Sequence, residues 1–248
     1  MKSVDTDRQY EDFQQLHQLI VESEDIRAFL DGMTTHAAAT LSRTTGADIA
    51  CAVTLRRYKR TLTVAGSSET AVILDRIEQD LGHGPCLEAF RTFTTVLLDD
   101  TRNDPRWPLY SRSLEAAGYK SVLGIPVDVG ETASACLNFF APATGQFTAE
   151  AIREATVFTG TAGQALRLIL RIITAELLAD DLKAAMESRT AIDLACGMIM
   201  TQNRCTQEQA YKFLLRASNN RNMKVHVVAN EIIRRLSGTK QTATHFED

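Results

Sequence analysis

Aromatic residues are scarce in this chain of 248 residues, which holds one Trp, five Tyr and ten Phe. In the last third, before residue 246, only Tyr211 and Phe213 carry rings, which argues against binding single strands on a platform of stacked bases. No stretch of about 18 uncharged apolar residues occurs, so no membrane-spanning helix is expected. The opening MKSVDTDRQYEDF has acid where a secretory leader has a basic start and an apolar run, and a cytoplasmic protein is expected. The five cysteines, Cys51, Cys86, Cys136, Cys196 and Cys205, form no C-x-x-C pair and read as reduced thiols. The five histidines show no H-x-x-x-H spacing and no acidic cluster accompanies them, so no metal site is expected. Neither G-x-G-x-x-G nor G-x-x-x-x-G-K-[ST] occurs, which disfavours the corresponding nucleotide chemistry. No proline follows Pro142, so nothing of that kind breaks a helix in the second half.

What is present is a globular composition, 44% apolar and 23% charged, enough to build a core. The net charge of −4 is unevenly spread. Residues 1–181 carry 17 Lys and Arg against 25 Asp and Glu, whereas residues 182–248 carry 10 against 6. An acidic body with a basic end suits a tail that meets a polyanion, and it also suits a solvated helical face.

Periodicity predicts two helices over 7–45, closed by Gly46. Two strands follow, Ile49–Leu55 and Thr61–Gly66, around the basic turn RRYKR. A helix over Val72–Leu81 breaks at Gly82-His83-Gly84-Pro85. Beyond it come a short helix from Cys86, a strand at Thr94–Asp100 and a helix from Asp104-Pro105-Arg106-Trp107-Pro108 to Gly118. A hairpin of Ser121–Val129 with Ala133–Ala141 turns at Gly130-Glu131. This order predicts an α+β fold, an antiparallel sheet flanked by helices, over residues 1–147.

From Thr148, a natural N-cap, apolar residues recur by threes and fours: Ala155, Thr159, Ala162, Leu166, Ile169, Ile173, then Leu177, Leu182 and Met186 with a slip. A helix over 148–180 would extend roughly 50 Å, more than a small domain needs, and favours a coiled-coil partner in a second copy. The alternative is a core helix of the first domain that simply runs on. Residues 181–238 read as three helices. Met186, Ile192, Ala195 and Ile199 form the core face of the first. After a turn at Asn203-Arg204-Cys205, the capping box Thr206-x-x-Gln209 opens the second, with Ala210, Phe213, Leu214 and Ala217 inward. Asn222 is expected to cap the third, with Val225, Val228, Ala229, Ile232 and Leu236 inward. Residues 239–248 read as a flexible tail.

No catalytic constellation can be assembled, so a non-enzyme is expected. The best nucleophile or redox-sensing candidates are His83 and Cys86 in GHGPC, at a helix start whose N–H groups would lower a thiol pKa. A structural Gly-Pro turn around a half-buried cysteine is the plain alternative. Nucleic-acid binding has more behind it: Arg189, Arg204, Lys212, Arg216, Arg221 and Lys224 line the tail. Gly197 sits mid-helix at a cost of about 1 kcal/mol, and with Ala195 it leaves a bare patch.

The tail resembles an ANTAR domain through Leu182, Ser188-Arg189, Ile192, Ala195-x-Gly197, Ile199-Met200, Thr206-x-Glu208-x-Ala210-Tyr211, Leu214-x-Arg216-Ala217, Val228-Ala229 and Ile232-Ile233. Cys196 stands where that family commonly has lysine. The body resembles a GAF domain of the actinobacterial type fused to ANTAR. That likeness is carried by Leu74-Asp75-x-Ile77, Gly82-x-Gly84-Pro85-Cys86-Leu87-Glu88-Ala89, Asp104-x-Arg106-Trp107-Pro108, Gly118-x-x-Ser121-Val122-Leu123, Pro126-Val127, Leu137-Asn138-Phe139-Phe140 and Phe147. His83 replaces a usual Glu there, and Ala135 a usual Gly.

The resemblance implies a cytoplasmic homodimeric regulator without a resident cofactor. Its GAF domain would sense an unnamed small molecule or serve as a scaffold. Its ANTAR domains would bind paired RNA hairpins, favouring an antiterminated transcript, with Arg189, Ala195, Gly197, Arg204, Lys212, Arg216, Arg221 and Lys224 as contact residues. Two other readings stand beside it. One is a DNA-binding regulator, since three small basic helices also describe a helix-turn-helix, although no obvious short turn separates the second and third. The other is a GAF-like methionine sulfoxide reductase using Cys86 and a second nearby cysteine.

Overall fold

The computed structural model describes residues 2–57, 60–130 and 133–237. Tyr58 and Lys59 of the basic turn, Glu131 of the hairpin turn and the tail 239–248 lie outside them. Two compact units form, one through Ile173 and the other from Thr174.

The first unit begins with helices α1 (Lys2–Glu22) and α2 (Ile26–Thr45). The Asp25 carboxylate accepts from the Ala28 N–H at the start of α2 (2.8 Å), and Gly46 ends it at φ 67°, the left-handed geometry that glycine adopts without strain. Asp12 of α1 is buried and bonds His36 of α2 (2.7 Å). The strands are β1 (Ala50–Arg57), β2 (Arg60–Gly66), β3 (Val96–Leu98), β4 (Ser121–Val127) and β5 (Ala133–Ala141). They pair antiparallel in the order β2-β1-β5-β4-β3. Helices α3 (Glu69–Leu81) and α4 (Pro85–Thr92) join β2 to β3, and α5 (Pro108–Ala116) joins β3 to β4.

Successive strand residues face opposite sides, and both sides are covered. Cys51, Val53, Leu55, Leu123, Ile125, Leu137 and Phe139 enter a core with Phe29, Leu30, Met33 and Leu41 of α2. Ala50, Ala52, Val122, Cys136 and Phe140 enter a second core with Leu74, Ala89, Tyr110 and Leu114 of α3–α5. Burial on both faces explains why these strands read as nearly unbroken apolar runs. In the Asp104–Pro108 segment, Arg106 bonds Asp104 and the Leu97 carbonyl and lies 4.3 Å from the Trp107 ring centroid. These contacts fix the start of α5 against β3.

Helix α6 runs unbroken from Ala149 to Asn203. Thr148 opens it, its hydroxyl accepting from the Ala151 N–H (3.3 Å). Ala151, Ala155, Phe158, Ala162, Ala165, Leu166 and Ile169 are core residues of the first unit, so intrachain packing accounts for that part of the apolar stripe. Leu177, Leu178, Leu182 and Met186 are 56–68% exposed.

In the second unit, the C-terminal part of α6 packs with α7 (Gln207–Arg221) and α8 (Val225–Ser237). Ala191, Ala195, Cys196, Ile199, Ala210, Leu214, Val228 and Ala229 form the core. The capping box at Thr206 and Gln209 is formed. Five details differ from the sequence expectation. Met186 and Leu236, expected on core faces, are exposed (63% and 43%), because the three-helix core is already closed by Ala191, Ala195, Ile199, Val228 and Ala229. Asn222 does not cap α8: it closes α7 in the left-handed region, φ 50°, a conformation asparagine tolerates. Phe213 is half exposed, because Ala210 and Leu214 already fill the inward side. The connection from α7 to α8 is short, residues 222–224.

Gly84 is required by contact. Its backbone is extended (φ 163°), but a Cβ there would lie 2.4 Å from both Cγ and Oε1 of Glu78. Gly84→Ala is expected to cost roughly 1–3 kcal/mol by overpacking, read as a fall in Tm of about 2–4 °C per kcal/mol. In a Glu78→Ala background the same substitution should cost clearly less, and thermal melts of the four proteins of that cycle check it.

Candidate nucleic-acid interface and buried polar cluster

The sequence-predicted contact residues fall on α6, α7 and the two turns of the second unit. Arg189 projects from α6, with an ion pair to Asp193 at 3.8 Å that leaves both side chains mostly exposed. Gly197 faces open space, with nothing within 4 Å of a Cβ built on it. Arg204 sits in the α6–α7 turn at φ 51° and Lys224 in the α7–α8 turn, both exposed. Lys212 bonds Glu208 one turn back (2.6 Å), Arg216 is exposed, and Arg221 bonds Glu231 of α8 (2.6 Å). Surface pairs of this kind are weak, so these cations can exchange partners for phosphate. Ala195 must be withdrawn as a contact residue. It is 0% exposed in the three-helix core, because it points inward one step from the turn that exposes Gly197. Cys196 is also buried in that core.

Two grooves flank this part of α6. One, of about 460 Å³, is lined by residues of α6 and α7 that include Ser188, Arg189, Asp193, Gln207 and Tyr211. The other, of about 750 Å³, is lined by Asp193, Leu194, Gly197, Met198 and Leu236 among others. Tyr211 and Asp193, which the sequence reading did not single out as contact residues, line the first of these grooves.

In the first unit the structure separates the GHGPC pair. His83 is exposed, whereas Cys86 is completely buried. Around Cys86 lies a closed polar cluster of Thr54, Asp75, Glu78 and Asn138, each completely buried. The Cys86 and Leu87 N–H groups both donate to Glu78 Oε1 (2.6 and 3.1 Å), satisfying two of the free donors at the α4 N-terminus. The Thr54 hydroxyl and the Asn138 amide donate to Asp75 (2.7 and 2.5 Å), and the Cys86 thiol donates to Thr54 (3.6 Å). The Cys136 thiol donates to the Asn138 side-chain oxygen (3.6 Å).

Burial, followed by neighbouring Cys136 and the carboxyl groups of Glu78 and Asp75, pushes the Cys86 thiol up. The lowered thiol pKa expected from the helix start is thus reversed: desolvation dominates, and Glu78 has taken the amides that would have stabilised a thiolate. Glu78 is itself raised to about 8, by burial first and by Asp75 second, against the lowering effect of the two amides. The Tyr110 hydroxyl lies beside that carboxyl, outside hydrogen-bond geometry. Among the described residues no cluster of His, Cys, Asp and Glu is arranged to hold a metal.

A carboxyl raised from 4.5 to about 8 stays protonated in the fold while the unfolded chain has already ionised. Its contribution therefore costs nothing below the unfolded pKa and becomes more unfavourable as pH climbs towards 8, by up to about 1.4 kcal/mol per pH unit. Glu78→Gln keeps the acceptor for both amides and cannot ionise. Thermal melts from pH 5 to pH 8 should show the variant gaining on the wild type as pH rises; parallel curves would show that Glu78 does not titrate in this way.

The family model for the GAF domain matches residues 27–167, and that for the ANTAR domain matches residues 180–233. No curated protein matches the chain. Among solved structures, an N-acylhomoserine lactone dependent LuxR family transcription factor, CepR2 from Burkholderia cenocepacia, is 14% identical. It has a TM-score of 0.50, and the match covers 68% of this chain and 99% of that one. The GAF domain from Acinetobacter phosphoenolpyruvate-protein phosphotransferase is 16% identical (TM-score 0.47; 67% and 98% covered). The free methionine-R-sulfoxide reductase from Neisseria meningitidis is 14% identical (TM-score 0.45; 66% and 88% covered). With a GAF match over more than half of its length and an ANTAR domain behind it, the chain belongs to the GAF domain family and has the organisation of a GAF–ANTAR regulator.

Proposed function

We propose that the protein is a cytoplasmic RNA-binding regulator of transcription antitermination, in which a GAF domain takes a small-molecule signal and paired ANTAR domains hold adjacent RNA stem-loops. The observation that carries this reading is the ANTAR match at 180–233 over helices and turns that expose Arg189, Arg204, Lys212, Arg216, Arg221 and Lys224. Arg189, Arg204, Lys212, Arg216, Arg221 and Lys224 supply phosphate contacts that set register, and the face at Gly197 approaches loop bases. Of the expected segment 148–180, the part through Ile173 belongs to the first unit, and α6 beyond it acts as the connecting and pairing segment. Leu178, Leu182 and Met186, four apart and exposed, form the strip by which two copies associate. Two tethered tails then gain avidity on paired hairpins without any new contact. Among the described residues no helix is long and apolar enough to cross a membrane. The enclosed, protonated thiol of Cys86 gives no support to the reductase reading.

A second reading has one observation in its favour. The α7–α8 connection of residues 222–224 has the length of a helix-turn-helix turn, so duplex DNA is the necessary control.

In a gel-shift titration the protein should bind an RNA with two adjacent six-base-loop hairpins. It should release that RNA when one loop is scrambled and bind the equivalent DNA duplex far more weakly. Indifference between RNA and DNA, with affinity collapsing as salt rises, would leave only polyanion binding. Arg189→Ala with Arg216→Ala should weaken binding and lower the slope of log K against log salt by about two. Leu182→Glu with Met186→Glu should shift sedimentation from dimer to monomer and abolish the preference for paired over single hairpins.

A further inference from the structure

Two of the three buried cysteines of the first unit border one carboxyl group. The Cys86 thiol donates to the Thr54 hydroxyl and the Cys136 thiol to the Asn138 side-chain oxygen, each at 3.6 Å. Thr54 and Asn138 in turn both donate to Asp75 (2.7 and 2.5 Å). The strand register brings the sulfurs together: Thr54 of β1 stands directly opposite Cys136 of β5, a pairing that sets Cβ atoms about 4.5–5.5 Å apart. Both cysteines belong to the core covered by α3–α5. After burial, each thiol is the strongest influence on the other's acidity. Cys51 is equally buried but enters the core on the other face of the sheet, and Cys196 and Cys205 lie in the second unit. From this arrangement we infer that Cys86 and Cys136 are a dithiol that hydrogen peroxide converts to an intramolecular disulfide, which makes the GAF domain an oxidant-responsive element. The inference does not depend on RNA binding.

Only a thiolate attacks, and a thiolate in a dry, negative cluster is costly. The hydrogen bonds remove that obstacle. The Cys86 proton has a path through the Thr54 hydroxyl to Asp75, so the charge of the carboxylate passes to the sulfur and the cluster as a whole gains none. Glu78 supplies the complementary group. Burial first and the charge of Asp75 second raise it to about 8, so it holds a proton at neutral pH, and its Oε2 has no hydrogen-bond partner. Thr54, Asp75, Glu78, Cys86, Cys136 and Asn138 are all completely buried. That enclosure favours hydrogen peroxide, little larger than water, over a bulky disulfide or sulfoxide.

The Cys86 sulfur bonds to one peroxide oxygen as the O–O bond breaks. Its own proton passes to Asp75, and the departing hydroxide takes the Glu78 proton and becomes water. Asp75 then returns a proton to Glu78. The Cys136 sulfur attacks the sulfenic acid left on Cys86, the S–O bond breaks, and the hydroxyl leaves with the Cys136 proton as a second water. Two thiols have lost two electrons and two protons, and one peroxide has become two waters.

The test treats the full, reduced chain with hydrogen peroxide under native conditions, then denatures it in an alkylating reagent and maps its peptides by mass. The product should be lighter by two hydrogens and should have lost two of its five thiols. The peptide of Cys86 should be joined to that of Cys136, and a reductant should restore every thiol. In Cys136→Ala the reaction should stop at the sulfenic acid of Cys86, captured as its dimedone adduct. Thr54→Val, which removes the hydroxyl between Cys86 and Asp75, should slow closure about a hundredfold, whereas Thr54→Ser should keep the wild-type rate. A Cys86–Cys136 bond that forms only in urea, a bond between any other two cysteines, or a full set of thiols after peroxide overturns the inference. Equal rates of closure in Thr54→Val and Thr54→Ser overturn it too, since they remove the proton path on which it stands.

Discussion

A carboxyl group shut completely away from water has to be satisfied by its surroundings, and Glu78 organises one face of the sheet around that demand. Its Oε1 accepts two amides from the first turn of α4, an arrangement that needs the chain before α4 to pass directly over the side chain. Only glycine allows that pass, since a Cβ at Gly84 would sit 2.4 Å from the Glu78 carboxyl oxygen. Pro85 follows at the first helical position, where its missing N–H is not needed. Beneath it Gly124 of β4 lets the Pro85 carbonyl approach, 3.2 Å from where a Cβ would be. The G-x-G-P-C sequence is thus the covalent trace of one buried acid. That explains why its cysteine is enclosed rather than presented, and why His83, between the two glycines, is left outside.

The same acid accounts for the state of the thiol beside it. A helix start lowers a thiol pKa only while its amide donors point at the sulfur. Here they point at Glu78, and the nearby Asp75 is occupied by Thr54 and Asn138. The environment is negative and dry, so it favours neutral thiols and a protonated Glu78. The cluster joins α3, α4, β1 and β5 through hydrogen bonds.

Elements whose periodicity follows from one packed face were legible in the sequence. The strands were found from runs bounded by turn residues. The caps at Gly46, Gly82, Thr148 and Thr206 followed from local chemistry that needs no tertiary partner, and they formed as expected. Features set by what a helix meets were not legible. Ala195 is buried as its core-face position predicts, which closes it as a contact residue. Phe213 was expected inward and is half exposed, because interhelical spacing, and not hydropathy, decides which apolar positions face inward. The short α7–α8 turn was missed because Asn222 serves α7, and side-chain type alone does not tell a closing asparagine from an opening one.

The apolar series from Ala151 to Met186 shows how one periodic pattern can serve two purposes. Through Ile169 its alanines and large residues are consumed by the core of the GAF unit, where small side chains let a helix lie close and Phe158 and Leu166 fill the remaining space. From Leu177 onward the residues enlarge to leucine and methionine while their burial falls away. A single helix gains little by exposing leucines at a spacing of four; the arrangement is stabilising only when another surface covers them. A buried apolar series thus passes into an exposed one along one continuous helix, with no proline or cap between. The change falls just before Arg189, the first of the tail's proposed RNA contacts.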